Sequence, residues 1–251
     1  MEPIFKQKYT IAAIHTDCFG YLKPSVVLHF AQEAAGGHCL QLNVDWDTLA
    51  KKNMFWALIR TKVQITRLPR EGETITVETW PMPTTRVAYP RAVVALDENG
   101  NELFRSVSLW VLMDSQTREM ILPGKSGVLV EGILRGTELD APKALAPKTL
   151  AHTMQRPVRF NDLDKNGHMN NTRYLDWVTD LLPSDFYRQH KVQQIVLCYN
   201  QEALENQLLE LAWQVGEDGT LLVDACRTGT DDHPGKSRVF SAMLTFFPGV
   251  L

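Results

Sequence analysis

With 251 residues, 44% of them hydrophobic and 22% charged, the chain has enough apolar material for one large globular domain or two ordinary ones. Its formal net charge of −3, from 26 basic and 29 acidic side chains, argues against broad nucleic-acid binding, which needs a basic surface to neutralise phosphates. No apolar run approaches the ~18 residues that a membrane helix requires, so no membrane association is expected.

The chain opens on MEPIFKQKYTIAAIHTD, which lacks the apolar run of a signal peptide. Cys18, Cys39, Cys198 and Cys226 are scattered without a C-x-x-C pair, so reduced thiols and a cytoplasmic setting are expected. After a short polar loop around Asp17 and Gly20, Pro24 suits the first turn of a helix. Its buried face would carry Val27, Phe30, Ala31, Ala34 and Ala35. TITVETW (Thr74–Trp80) alternates as a strand. RVAYPRAVVAL and ELFRSVSLWVLMD then flank DENGN as a hairpin, with Asn99-Gly100 as its turn and Pro90 pointing to an edge position or a bulge. Residues 123–157 are rich in Gly, Pro, Ala and Lys without a sustained period, and are expected to link a domain at 1–122 to one at 158–251.

The second domain repeats the plan of the first. MQRPVRFN alternates as a strand, a polar loop follows, and a second helical face carries Tyr174, Trp177, Val178, Leu181 and Leu182. These lie a constant 147 positions after the first set, as Asp164 does after Asp17 and Gly167 after Gly20. Asn170, Asn171 and Thr172 supply N-cap residues. LLELAWQV and LLVDACRT flank Glu217-Asp218-Gly219, and RVFSAMLTFF follows. Each half is therefore a strand, a loop and a helix followed by antiparallel strands, which is an α+β plan built by duplication.

The loop NDLDKNGHMNNTRY admits three readings. Asp162, Asp164, Asn166 and Gly167 have the spacing that opens an EF-hand. However, position 12 is Arg173 where a bidentate Glu is needed, and a strand stands where the entering helix should be. A catalytic reading places Asp164, Asn166 and His168 at i, i+2 and i+4 on one side of an extended loop, ahead of a helix N-terminus suited to an oxyanion. The third reading is a turn that merely caps a helix. Elsewhere, GKS at Gly124 and Gly235 lacks the upstream Gly of a P-loop, no G-x-S-x-G elbow occurs, and the other histidines show no metal spacing.

NDLDKNGHMNNTRYLDW resembles the D-x-N-x-H-V-N-N-x-x-Y-x-x-W signature of the acyl-acyl-carrier-protein thioesterase family, matching at Asp164, Asn166, His168, Asn170, Asn171, Tyr174 and Trp177, with Met169 for Val. FWALIRTKVQITRLPREGETITVETW, SVSLWVLMDSQTREM and QEAAGGH are similar to further stretches of that family in the same order. The resemblance implies a double hotdog, with each sheet wrapped around a helix. It also implies hydrolysis of the acyl-acyl carrier protein thioester to free fatty acid, which ends chain elongation in fatty acid biosynthesis. Asp164, Asn166 and His168 would act with Glu202, which LCYNQEA places at the family's later acid. The Cys that follows that acid in the family is Ala203 here, so a Cys-His-Asn mechanism is not open at that position; Cys198 reads as a small buried hydrophobe.

Phe19 and Tyr21 stand where the second loop has Asn166 and His168, so one active site is expected, with the N-terminal domain given to the acyl chain. No cofactor or metal is called for. The partner implied is an acidic acyl carrier protein, for which Arg156, Arg159, Arg173, Lys51 and Lys52 are candidate contacts. A homodimer stays open, because a double hotdog forms within one chain what single hotdogs form by pairing. The alternatives are an acyl-CoA thioesterase and a non-catalytic acyl-binding protein.

Overall fold

The computed structural model describes residues 2–136, 139–228 and 237–248. The chain divides into two compact units, Met1–Pro142 and Lys143–Leu251.

In the first unit β1 (Phe5–Thr10) leads through the loop into α1 (Pro24–Gln41), α2 (Trp46–Ala50), β2 (Met54–Ile65), β3 (Thr74–Pro81), β4 (Tyr89–Leu96), β5 (Glu102–Asp114), β6 (Met120–Ile121) and α3 (Pro123–Ser126). Pro24 is the first helical residue, where its missing N–H leaves nothing unpaired, and Val27, Phe30, Ala34 and Ala35 are buried as their spacing requires. The sheet runs β1-β3-β4-β5-β2, antiparallel throughout, with β6 beside β5. Helix α1 packs on β1 and β3, and Tyr9 stacks on Phe30 at 4.1 Å. Pro90 departs from expectation: β4 lies between β3 and β5, not at an edge, and its register shift is at Ala95/Leu96. Pro90 is tolerated because it is the second residue of β4, at the end of the ladder.

Among the described residues, Arg91 is a buried cation. Arg91 Nη1 bonds His38 Nδ1 at 3.2 Å and Thr79 Oγ1 at 3.3 Å, and Nη2 reaches Cys39 Sγ at 3.7 Å. All three partners are uncharged, but His38 and Cys39 lie in the last turns of α1, whose negative dipole end favours a cation. Burial pushes the Cys39 thiol up, so it stays protonated despite the guanidinium.

After α3 the chain returns across β3. Ile133 N–H bonds Pro81 O at 2.9 Å, Arg135 Nη1 meets Glu78 Oε2 at 2.5 Å, and the guanidinium covers the Trp80 ring at 5.3 Å. This crossing is so close that a Cβ on Gly132 would stand 2.2 Å from the Met82 backbone. Gly132→Ala is therefore expected to cost about 1–3 kcal/mol by overpacking and to lower the melting midpoint by several degrees, read in a thermal melt.

The second unit contains β7 (His152–Pro157), α4 (Arg173–Thr179), α5 (Ser184–Gln189), β8 (Val192–Tyr199), β9 (Leu208–Val215), β10 (Leu221–Arg227) and β11 (Ser237–Phe246), with sheet order β8-β11-β10-β9-β7. Two features differ from the sequence reading. The span 123–157, expected as a linker, contains α3 and β7, and β7 pairs with β9 along its length. Its edge position leaves most of its side chains exposed, so no apolar period marks it fully. Helix α4 stops at Thr179 instead of running through Leu182, because Pro183 cannot continue a helix and stands instead as the N-cap of α5. Tyr174, Leu175, Trp177 and Val178 still bury the α4 face, with Tyr174 edge-on to Phe240 and Tyr199. Each unit thus sets a helix on an antiparallel sheet, and the two in tandem are a double hotdog.

The stretch before β7 is tied down by side chains of its own unit. Arg238 pairs with Asp224 and donates to Leu145 O at 2.5 Å, Lys148 N–H reaches Asp224 Oδ2 at 3.4 Å, and Cys198 Sγ–H points to Lys143 O at 3.6 Å.

Candidate active site

The singled-out loop lies in the second unit between a 3₁₀ turn (Phe160–Asp162) and α4. It closes on itself. Asp164 N–H bonds His168 O at 2.7 Å, Gly167 N–H bonds Asp164 O at 3.0 Å, and Gly167 takes φ 76°, a left-handed conformation that glycine adopts without strain. The Asp164 carboxylate folds into the turn: Oδ1 accepts from Asn166 N at 2.8 Å and His168 N at 3.3 Å, and Oδ2 accepts from Asn166 Nδ2 at 3.2 Å. The loop is therefore an Asx-type turn, not an extended run, and the Asp164 carboxylate is engaged within that turn.

The first unit builds the same turn 147 positions earlier. Asp17 Oδ1 accepts from Phe19 N at 2.9 Å and Tyr21 N at 3.0 Å, Gly20 has φ 77°, and a 3₁₀ turn (Ala13–His15) precedes it. Thr16 bridges Leu22 as Leu163 bridges Met169. Only the side chains differ. Tyr21 hydroxyl accepts from Arg70, whose guanidinium covers the Tyr21 ring at 4.2 Å, so a phenol against a guanidinium stands here where the second copy has an imidazole.

In the second unit His168 Nδ1 faces Glu202 Oε1 at 3.4 Å, with the side chains 26% and 41% exposed. Glu202 comes from the turn between β8 and β9, which is sewn to the loop by Met169 N–H to Ala203 O at 2.8 Å and by a bridge from His168 to Leu204. Beneath the turn, Arg227 Nη2 donates to Glu202 O at 2.6 Å. Tyr174 is a buried neighbour. Burial above all pushes its phenol well up, and Glu202 adds to the shift, so Tyr174 stays protonated and is no base or nucleophile. On the other flank, Asp162 Oδ1 accepts from Trp177 Nε1 at 3.1 Å and Oδ2 from Arg159 N–H at 2.9 Å, docking the loop on α4.

Of the four residues singled out in the sequence, the structure brings His168 and Glu202 together. Asn166 is tied to Asp164 and not to the imidazole. At the α4 N-terminus Asn170 Oδ1 accepts from Thr172 N and Oγ1, each at 2.9 Å, and Asn170 O from Arg173 N at 2.9 Å, so these donors are occupied. Two of the candidate basic contacts are in ion pairs, Arg156 with Asp180 at 2.8 Å and Arg173 with Asp176 at 2.9 Å. Asp162 and Arg227 were not recognised from the sequence as site residues. Asp162 has a signal only as the first position of the EF-hand spacing; Arg227 has none. Among the described residues no three His, Cys, Asp or Glu side chains cluster as a metal site, and no helix is long and apolar enough to cross a membrane.

Comparison with known proteins matches residues 2–122 to the family described as acyl-ACP thioesterase N-terminal domain, and 146–235 to the acyl-ACP thioesterase C-terminal domain. A chloroplastic palmitoyl-acyl carrier protein thioesterase of Gossypium hirsutum is 24% identical over 243 residues, covering 86% of this chain and 56% of that protein. A chloroplastic dodecanoyl-[acyl-carrier-protein] hydrolase of Cinnamomum camphora is 26% identical over 199 residues, covering 73% and 52%. The chain thus spans about half the length of these curated relatives. The solved 12:0-ACP thioesterase of Umbellularia californica superposes with TM-score 0.82 at 24% identity, covering 99% of this chain and 98% of that one. An acyl-ACP thioesterase of Bacteroides thetaiotaomicron gives TM-score 0.82 at 21% identity and 98% coverage of both chains. These two likenesses show a shared fold.

Proposed function

The chain belongs to the acyl-ACP thioesterase family, and from that membership we propose that it hydrolyses the thioester of acyl-acyl carrier protein to free fatty acid, ending chain elongation in fatty acid biosynthesis. The observation that carries the site assignment is the His168–Glu202 pair at 3.4 Å on a duplicated turn whose other copy has Tyr21 against Arg70. With Nδ1–H turned to Glu202, His168 Nε2 carries the lone pair. It takes a proton from water as the water oxygen attacks the acyl carbon. The C–S bond then breaks, and the imidazolium returns the proton to the leaving thiolate. Glu202 orients the ring and stabilises the imidazolium, while Asp164 and Asn166 hold the turn that presents it. The N-terminal unit, its duplicated loop carrying Phe19 and Tyr21 in place of Asn166 and His168, holds the acyl chain.

The partner in this reading is acyl carrier protein, with Arg159, beside the 3₁₀ turn that precedes the loop, among the expected basic contacts. The four cysteines are free thiols, which suits a reducing compartment such as the cytoplasm. The deciding experiment compares thiol release from acyl carrier protein and CoA forms of one acyl chain, with free fatty acid measured as product. Faster turnover of the carrier form is expected. Equal or faster turnover of the CoA form would overturn the substrate, and saturable binding without thiol release would overturn the activity.

A further inference from the structure

We propose that Arg227 is a positioning residue for the reaction: its guanidinium fixes the turn that carries Glu202, so that the carboxylate meets His168 Nδ1. The proposal rests on the hydrolase reading above. Glu202 lies in no strand, three residues beyond β8 and six before β9. The turn is pinned at its entrance by Asn200 N–H and Gln201 N–H, which reach Val239 O at 2.8 and 3.1 Å. It is pinned at its exit by Met169 N–H, which reaches Ala203 O at 2.8 Å. Between these pins the Glu202 carbonyl accepts from Arg227 Nη2 at 2.6 Å. A charged donor on that carbonyl sets the rotation of the peptide, and with it the direction in which the Glu202 side chain leaves the backbone.

Two further observations set Arg227 apart from a surface cation. It is the last residue of β10, fixed opposite Leu209 and Ser237 in the ladder, so its side chain starts from a rigid element. Its Nε–H is buried with no hydrogen-bond partner among the described residues. An N–H left unpaired away from water is destabilising, so the guanidinium is not placed there by full satisfaction of its own donors. The first unit shows a contrasting use of a cation. There Arg70 stands opposite Tyr21 and bonds its hydroxyl directly. In the second unit the residue opposite His168 is Leu204, and the guanidinium reaches the backbone from below, which leaves the imidazole to the carboxylate.

The test is a double-mutant cycle on Glu202→Gln and Arg227→Met, with kcat and KM measured separately on one acyl-acyl carrier protein. Arg227→Met is expected to lower kcat about tenfold with KM nearly unchanged, since a misplaced group typically costs one to two powers of ten. In the Glu202→Gln background the same change should add little, because its effect runs through that carboxylate. Arg227→Lys, which keeps a charged donor, should recover most of the loss. If Arg227→Met does not fold, Arg227→Gln replaces it in the cycle. Full additivity of the two losses, or a kcat within twofold of wild type for the Arg227 variant, overturns the proposal. His168→Ala in the same assay separates the two levels. If it keeps activity, the hydrolase site itself is wrong; if it is inactive while the cycle is additive, only the role of Arg227 falls.

Discussion

His168→Ala is expected to lower kcat/KM by about 10² to 10⁴, the usual cost of removing a general base, while leaving the fold in place. The fold is spared because the loop is held by main-chain atoms of residue 168 and not by its ring. The backbone N–H bonds Asp164 Oδ1, and the carbonyl accepts from Asp164 N–H. The imidazole itself is 26% exposed, and its recorded ion-pair contact is Glu202. Alanine keeps every main-chain bond, so the melting midpoint should move by no more than a few degrees. Activity would be read as thiol release and stability by thermal melt. A variant that melts as wild type and still turns over at near wild-type rate would assign the base elsewhere. A variant that loses activity and fold together would make the loop a structural element alone.

What was legible in the sequence follows from how far each signal reaches. Helix α1 could be read because Val27, Phe30, Ala34 and Ala35 share one face and Pro24 marks its start. Strand β5 matched because ELFRSVSLWVLMD follows a turn at Asn99-Gly100. The loop was legible because duplication supplied an internal comparison, and Gly20 and Gly167 share φ near 77°. The failures have physical causes. The period of α4 ran past Thr179, but Pro183 ends a helix whatever the apolar spacing says. Pro90 suggested an edge, yet a strand end tolerates it equally well. Arg227 reaches Glu202 across 25 residues and two strand ladders, a contact set by register and not by local pattern. Arg156 and Arg173, expected as contacts for an acidic partner, have acidic neighbours, Asp180 and Asp176, that the fold brings within reach.

The paired variants Asp164→Ala and Asp17→Ala are expected to part company in activity while agreeing in stability. Each carboxylate accepts two main-chain N–H bonds within its turn: from Asn166 and His168 in one unit, and from Phe19 and Tyr21 in the other. Alanine removes the one oxygen that accepts both bonds, and the freed N–H groups turn to water on a partly exposed loop. The cost should be about 1 kcal/mol at each site, a few degrees in the melting midpoint. In the second unit the loosened turn also carries the imidazole. A displacement on the order of 1 Å from Glu202 and the acyl carbon costs about 10²-fold in kcat, with KM little changed. In the first unit the turn carries Tyr21, which is held by Arg70, so kcat should stay within about threefold of wild type; nothing in the proposed chemistry depends on that turn. If Asp17→Ala lost as much activity as Asp164→Ala, the turns would matter through overall folding and not through the placement of His168. Asp164→Asn separates geometry from charge. Its side-chain oxygen still accepts from both N–H groups, so a purely positional Asp164 predicts activity close to wild type. A loss matching that of alanine would instead put the carboxylate charge itself into the reaction, beside the imidazolium that forms.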